Sequence, residues 1–332
     1  MHRTVLLFNG DGTTTLTEEP LPALSPDEVI IETIATLVSA GTERLVLNGN
    51  VDDSLADTTA EGAGFTYPRS YGYCCVGRVV QMGGDVSGGL SGQRVFGFLP
   101  HATHHVTNPE ALYVLPDTLD VYDATFIPNV ETALSIVWDA QVGPGSRVVL
   151  IGVGGVGTLV AQLLQQVPAL DLVVVDTTPT LNHHTRLALS VHRCPTDTFD
   201  ADALPESWRN GPDVVIELSS VPAMLQRALD VSGPETRVVL GSWYGSKPVS
   251  LDLGSDFHRK RLTMAATPVS TLPARRKTRW SKSRQLHTAM QLAADLDPAA
   301  NAQHTPFRKA PSVYASIADN ETNRPQIFTY KN

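Results

Sequence analysis

VVLIGVGGVGTLVAQLL, residues 148–164, begins as a continuous apolar run and passes through three spaced glycines. It then places apolar residues at Val156, Leu159, Val160, Leu163 and Leu164, a helical spacing. The glycines Gly152, Gly154 and Gly157 read G-x-G-x-x-G between a strand and an amphipathic helix. Each has a physical task. Gly152 permits the tight strand-to-helix turn, Gly154 leaves room for a pyrophosphate, and Gly157 lets the helix lie close to the sheet. The N–H groups of Gly155 and Val156 head the helix and would face the phosphates. Asp176 ends the next apolar run, LVVVD, nineteen residues beyond Gly157. An acid at about 20 residues is what a dinucleotide fold uses to hold the adenosine ribose. Its charge disfavours a 2′-phosphate, so NAD is expected over NADP. NADP stays open because His183, His184 or Arg186 could reach such a phosphate. The alternative is that the glycines only shape a packed turn.

Outward from this stretch the rhythm repeats. Apolar runs at 148–151, 172–175, 214–216 and 238–240 alternate with helical spacing, including Leu225, Ala228 and Leu229. Fully apolar strands separated by helices imply a doubly wound parallel sheet buried on both faces. Its carboxyl edge would bring Ser219 and Gly241 to the cofactor; the alternative is that these are only loop residues. Residues 122–140 read as one helix leading into this domain. The first third differs. Residues 3–8, 28–38, 73–82 and 93–99 read as short strands among glycine-rich turns, the pattern of a small barrel or sandwich, and 50–64 reads as a loop. A helix is expected at 283–295, after the basic run RRKTRWSKSR at 275–284.

Composition narrows the classes. Hydrophobic residues make up 42% of the 332-residue chain, enough for about two packed domains. Twenty-five basic residues against thirty-four acidic ones give a net charge of −9, which argues against wrapping nucleic acid. The three cysteines, Cys74, Cys75 and Cys194, are too few for a disulfide scaffold or a four-cysteine zinc knot. No run is long enough to span a bilayer. A soluble cytoplasmic protein with a small-molecule substrate, and neither a membrane nor a nucleic-acid partner, is therefore expected.

The order of segments resembles the medium-chain dehydrogenase/reductase superfamily over nearly the whole chain. GQRVFGF (92–98) is similar to the family's strand near the cleft, and PNVETAL (128–134) to the helix entering the cofactor domain. GPDVVIELSS (211–220) and ETRVVLGSWYG (235–245) are similar to its fourth and fifth strands. The resemblance implies an α/β fold, a GroES-like β-rich catalytic domain at 1–118 and a Rossmann doubly wound parallel sheet at 119–266. Residues 267–332 would return to complete the first domain.

Many family members hold zinc, but their ligand positions fall elsewhere in type here. The cysteine position falls on Ser39, and the aspartate of that stretch on Thr42. The G-H-E motif falls on Gly72-Tyr73-Cys74, and the third ligand near Pro128. No zinc is expected. HATHH, with His101, His104 and His105, is a weaker metal reading, because on a strand His101 and His105 would share a face while His104 points away; solvated or satisfied histidines are the alternative. SAGTER (39–44) and GYCCVGRV (72–79) resemble the subgroup that includes bacteriochlorophyllide a dehydrogenase, which oxidises a hydroxyethyl group on a tetrapyrrole. Cys74 departs from that pattern, where glutamate is expected.

The chemistry implied is hydride transfer between a nicotinamide and an alcohol/carbonyl pair. Tyr73 takes the place of the histidine ligand and would donate to the developing alkoxide. To act as a base near neutrality it would need a positive neighbour such as Arg44. Ser39 and Thr42 would bridge the proton outward. Arg44 would reach cofactor phosphate with Glu43 as its partner, or the two form a structural ion pair. Thr132 would bond the nicotinamide amide or cap a helical turn. The basic run would attract a carboxylate-bearing substrate, or form a solvated helix face. Trp280, Trp243 and Tyr244 are candidates to stack on ligands or to pack the core. Two other functions stay open, a quinone-reductase-type enoyl reductase and a non-catalytic dinucleotide-binding protein. Dimers are common in the resembling family.

Overall fold

The computed structural model describes residues 1–51, 66–176, 190–193, 199–318 and 324–330. Most of the loop expected at 50–64 lies outside these residues, as do His183, His184, Arg186 and Cys194. The chain forms two compact units, one of Met1–Pro128 with Met290–Asn332 and one of Asn129–Ala289. The sequence-based boundaries stood at 118/119 and 266/267. The crossings at 128/129 and 289/290 fall inside helices, where the pattern of apolar residues does not break.

The first unit begins with β1 (His2–Phe8) and β2 (Thr14–Pro20), an antiparallel pair. β3 (Val29–Val38) is its central strand, buried along most of its length. Its neighbours are β5 (Cys75–Met82) and β7 (His104–Thr107), both antiparallel to it. Short β4 (Arg69–Ser70) pairs with β1, and β6 (Arg94–Gly97) links β5 to β8 (Leu112–Val114). Tyr73 and Cys74 precede β5 rather than belonging to it, so 73–82 is a strand only from Cys75. SAGTER, within a region read as β, forms the helix α1 (Ala40–Leu47). Its start is stabilised by Glu43, whose Oε1 accepts from the backbone N–H of Ser39 at 2.9 Å. A carboxylate reaching back to the capping residue satisfies an otherwise orphaned donor.

The expected single helix at 122–140 is two, α2 (Val121–Ala124) and α3 (Ile127–Ala140). Asp120 caps the first by accepting from Tyr122 N at 2.7 Å.

The second unit is the parallel sheet. Its strands are β9 (Arg147–Ile151), β10 (Asp171–Asp176), β11 (Ser190–Arg193), β12 (Val214–Glu217), β13 (Arg237–Leu240) and β14 (Thr263–Ala266). They lie in the order β11-β10-β9-β12-β13-β14, all parallel. The order reverses between β9 and β12, the point where open α/β sheets bind ligands. Helices α4 (Gly155–Leu164) and α5 (Pro222–Asp230) follow β9 and β12. Val149, Ile151, Val173, Val175, Val215 and Val238 pack with Leu225, Leu229 and Trp208 in one core. α6 (Lys282–Leu296) matches the helix expected at 283–295. The chain then adds β15 (Gln303–Pro306), α7 (Ala310–Ala318) and β16 (Gln326–Thr329) to the first unit, β16 pairing with β3.

Candidate nucleotide cradle and polar cluster

In the second unit, the glycines of 152–157 sit at the bend between β9 and α4. Gly152 has φ +93°, a left-handed conformation that side chains rarely adopt. A Cβ on it would lie 2.7 Å from backbone atoms of Leu218 and Ser219. A Cβ on Gly157 would lie 2.0 Å from the carbonyl oxygen of Gly152, so only glycine lets the helix approach its strand this closely. Gly154 caps α4, and among the described residues nothing beyond its chain neighbours lies within 4 Å of where a Cβ would be. Among those residues the bend is thus tight beneath and open above. A Cβ on Gly155 would lie 3.8 Å from Asn129 Nδ2. Gly155 and Val156 occupy the first positions of α4, where backbone donors lack helical partners.

Asp176 stands at the end of β10, and its Oδ2 accepts from Val153 N at 2.8 Å. The carboxylate is therefore tied to the bend itself. Thr132 lies in the second turn of α3 rather than at its head, so it does not cap that helix.

The next strand ends hold a buried acid that the sequence reading passed over. Glu217 is fully buried at the end of β12. Its Oε1 accepts from the N–H and hydroxyl of Ser219, at 2.7 and 2.5 Å, and its Oε2 accepts from the Tyr244 hydroxyl at 2.6 Å. Burial and the Glu217 carboxylate both push the Tyr244 phenol far up. Ser219 and Tyr244 are thus held by this acid, while Trp243 is exposed. Gly241 is glycine for packing, since a Cβ there would lie 2.3 Å from Leu218 Cδ2. The apolar patterning around Glu217 gave no sign of an acid facing inward.

In the first unit, Tyr73 donates its hydroxyl to Ser39 Oγ at 2.5 Å. Burial raises the Tyr73 phenol, as do the neighbouring Cys74 and Glu43, against opposing hydrogen bonds from Ser39 and Thr42. Arg44 is not among the influences on it. The expectation of Tyr73 as a base assisted by Arg44 is therefore corrected, because desolvation and nearby acids keep the phenol protonated. Glu43 is buried and is bonded by Ser39 N and the Tyr314 hydroxyl, with His101 Nε2 at 3.3 Å. The expected pairing of Glu43 with Arg44 gives way to this inward network. Thr36 Oγ1 joins His101 Nδ1, at 2.7 Å, to the Tyr330 hydroxyl, at 3.0 Å. Only distant segments of the chain bring Thr36, His101, Tyr314 and Tyr330 together, so no local spacing announces them.

The histidines of HATHH do not line one strand face. His101 precedes β7, and His105 lies on it, buried. Burial, with Arg3 and the neighbouring histidines, pushes His105 down to about 3. Its Nε2 has no hydrogen-bond partner among the described residues. Cys74 and Cys75 are buried thiols, and burial holds Cys75 up at about 12. Among the described residues no group of three or more His, Cys, Asp or Glu is placed to hold a metal. The Ser39 hydroxyl and the Tyr73 phenol, bonded to each other where the resemblance places a cysteine and a histidine ligand, do not fit a zinc ligand set.

The basic run 275–284 is not a helix face. Its first part forms turns, and α6 begins only at Lys282. Trp280 packs edge-on against Trp138 with ring centroids 4.6 Å apart.

No protein-family model matches the chain. Among curated proteins, (R,R)-butanediol dehydrogenase of Bacillus subtilis is 27% identical over 121 residues, 36% of this chain and 35% of that protein. D-guloside 3-dehydrogenase of Escherichia coli is 25% identical over 233 residues, 67% of this chain and 65% of that protein. The matched regions thus span about one third to two thirds of these relatives. Among solved structures, 2R,3R-butanediol dehydrogenase from Bacillus subtilis has a TM-score of 0.79 at 17% identity, covering 99% of this chain and 100% of that one. A dehydrogenase of Sinorhizobium meliloti, named as zinc-binding and bound to NADP, has a TM-score of 0.78 at 17% identity, covering 99% of this chain and 100% of that one. Relatives and structural neighbours agree, and the chain has the two-part fold of the medium-chain, zinc-type alcohol dehydrogenases.

Proposed function

We propose that this chain is a nicotinamide-dependent oxidoreductase that moves a hydride between NAD(H) and an alcohol/carbonyl pair without zinc. The observation that carries the reading is the bend at 152–157, closed beneath by Leu218 and Ser219 and open above Gly154. Gly154, Gly155 and Val156, at the head of α4, would hold the pyrophosphate, since the first N–H groups and the helix dipole favour an anion there. Asp176 accepts from the adenosine ribose and favours NAD over NADP, although a structural neighbour binds NADP. Thr132, Ser219 and Gly241 are further cofactor positions, Ser219 and Gly241 through their places at the strand ends. The relatives named as butanediol and guloside dehydrogenases support a hydroxyl-bearing substrate. The finer reading, a hydroxyethyl or acetyl group on a bulky ring, rests on SAGTER and GYCCVGRV.

The bound nicotinamide supplies or accepts the hydride. Tyr73 acts as acid in the reducing direction and passes its hydroxyl proton to the carbonyl oxygen as the hydride reaches carbon. Ser39 Oγ, already 2.5 Å away, then returns a proton to the phenolate and is itself reprotonated from solvent through the Thr42 hydroxyl. Ser39 and Tyr73, where the resemblance places a cysteine and a histidine ligand, support the reading without zinc. Arg44 serves as a cation for the cofactor.

Titrating the purified chain with NADH and NADPH, followed by nicotinamide fluorescence, tests the reading. Micromolar NADH binding, tighter than NADPH, is expected. Failure of both to bind below millimolar concentrations overturns it. Metal analysis showing one tightly held zinc per chain overturns zinc independence.

A further inference from the structure

A cluster of arginines lies in the second unit, apart from the glycine bend. Arg275, Arg276, Arg279 and Trp280 line a pocket of about 290 Å³. Aromatic rings hold its walls. The Arg276 guanidinium carbon lies 4.3 Å from the centroid of Trp138 and 5.6 Å from that of Trp280. Arg284 stacks on Trp280 at 4.0 Å. Arg275 donates to the Trp138 carbonyl at 2.7 Å and lies 3.6 Å from Asp139 Oδ1. Cation–π stacking of this kind fixes long side chains before any ligand arrives, which lowers the entropic cost of binding.

The charge is not balanced locally. Asp139 is the one acid bridged to this cluster, through Arg275, and Lys282 is taken by Glu131 at 2.6 Å. Among the described residues Arg276 and Arg279 have no carboxylate within bridging distance. Burial pulls the Arg276 guanidinium down, as does the neighbouring Arg275, against the opposing effect of Asp139. A bound anion would lie against three arginines that line one pocket.

The glycine bend and Asp176 do not account for it. Segment 267–281 follows β14, the edge strand four positions from β10 and Asp176 in the sheet. At about 4.8 Å per strand that is roughly 19 Å. Trp138 lies nine residues along α3 from Asn129, which borders Gly155, or roughly 13 Å at 1.5 Å per residue.

We propose that the pocket bounded by Arg275, Arg276, Arg279 and Trp280 binds the oxyanion of a small molecule, a phosphate monoester or a dicarboxylate, through the free guanidinium edges of Arg276 and Arg279. Guanidinium pairs oxyanions in bidentate geometry, which lysine cannot reproduce. The site does not depend on the proposed hydride transfer.

The test titrates the full chain in low-salt buffer with inorganic phosphate and, separately, with succinate, reading tryptophan fluorescence and heat. Saturable binding below about 1 mM by at least one of them is expected. Arg279→Gln should weaken it at least tenfold, and Arg279→Lys should restore only part. Both variants should keep the wild-type melting temperature and NADH affinity, since Arg279 is exposed. Tighter phosphate binding assigns a phosphate ester, and tighter succinate binding a dicarboxylate. The proposal is overturned if neither anion saturates by 10 mM, a concentration chosen about tenfold above the expected constant. Equal affinity in wild type and Arg279→Gln overturns it, as does displacement of the bound anion by NADH. Loss of NADH binding with the anion site intact would instead count only against the cofactor reading.

Discussion

Tyr73, Asp176 and His105 each carry a chemistry that their surroundings alter. Tyr73 is a neutral donor, because its phenol is pushed up by burial and by Cys74 and Glu43. Tyr73→Phe should lower carbonyl reduction by roughly 10²-fold, the usual scale of a lost general acid. NADH affinity should not change, and turnover equal to wild type would remove Tyr73 from the mechanism. Asp176 holds Val153 N at 2.8 Å while standing where a ribose would lie. Asp176→Ser should weaken NADH and strengthen NADPH relative to wild type, read by paired fluorescence titrations. No change in the ratio would place cofactor choice elsewhere. At this scale the residue types were legible from motif spacing. Their protonation states were not, because desolvation depends on side chains that arrive from elsewhere in the chain.

The bend and the helix it launches are the element where sequence and geometry meet. The strand, three glycines, helix and distant acid all recur in space as their spacing implies, because each task is local backbone geometry. Two glycines should respond differently to the same change. Gly154→Ala adds a methyl group to open space and should leave thermal stability nearly unaltered. It should cost at least tenfold in NADH affinity, because the methyl occupies the path of the pyrophosphate. Gly157→Ala drives a Cβ to 2.0 Å from Gly152 O, so α4 must move, and both stability and NADH binding should fall. Thermal melts beside NADH titrations separate the two. Equal NADH affinity in Gly154→Ala and wild type would refute the cradle. Helix α1 was less legible. The β-rich texture of its neighbours masked it, and its start depends on the side chain of Glu43 returning to Ser39.

Across the whole molecule, stability should depend on acid. His105 is buried and pushed down to about 3, whereas in the unfolded chain it titrates near its model value of 6.5. Between those values the unfolded state binds the extra proton, so stability rises with pH through the window and is lost as pH falls below about 6.5. The slope from this residue is at most about 1.4 kcal/mol per pH unit. Asp123, half-buried and raised to about 6, acts in the opposite sense, because its folded form holds the proton more tightly. Urea unfolding of wild type and His105→Phe at pH 7, 6 and 5 isolates the histidine. The variant should lose less stability on acidification, and parallel pH profiles would show that His105 does not contribute.

From sequence alone came the parallel sheet, the glycine bend between β9 and α4, and the residue types of Ser39, Tyr73 and Cys74. Apolar runs, glycine spacing and ligand type are properties of neighbours along the chain. Tertiary structure alone decided the rest. It turned Glu43 inward to His101 and Tyr314, buried Glu217 under Ser219 and Tyr244, and set Arg276 against the rings of two tryptophans. Those partners are separated by up to hundreds of residues, and only packing determines which polar groups must satisfy one another once water has been excluded.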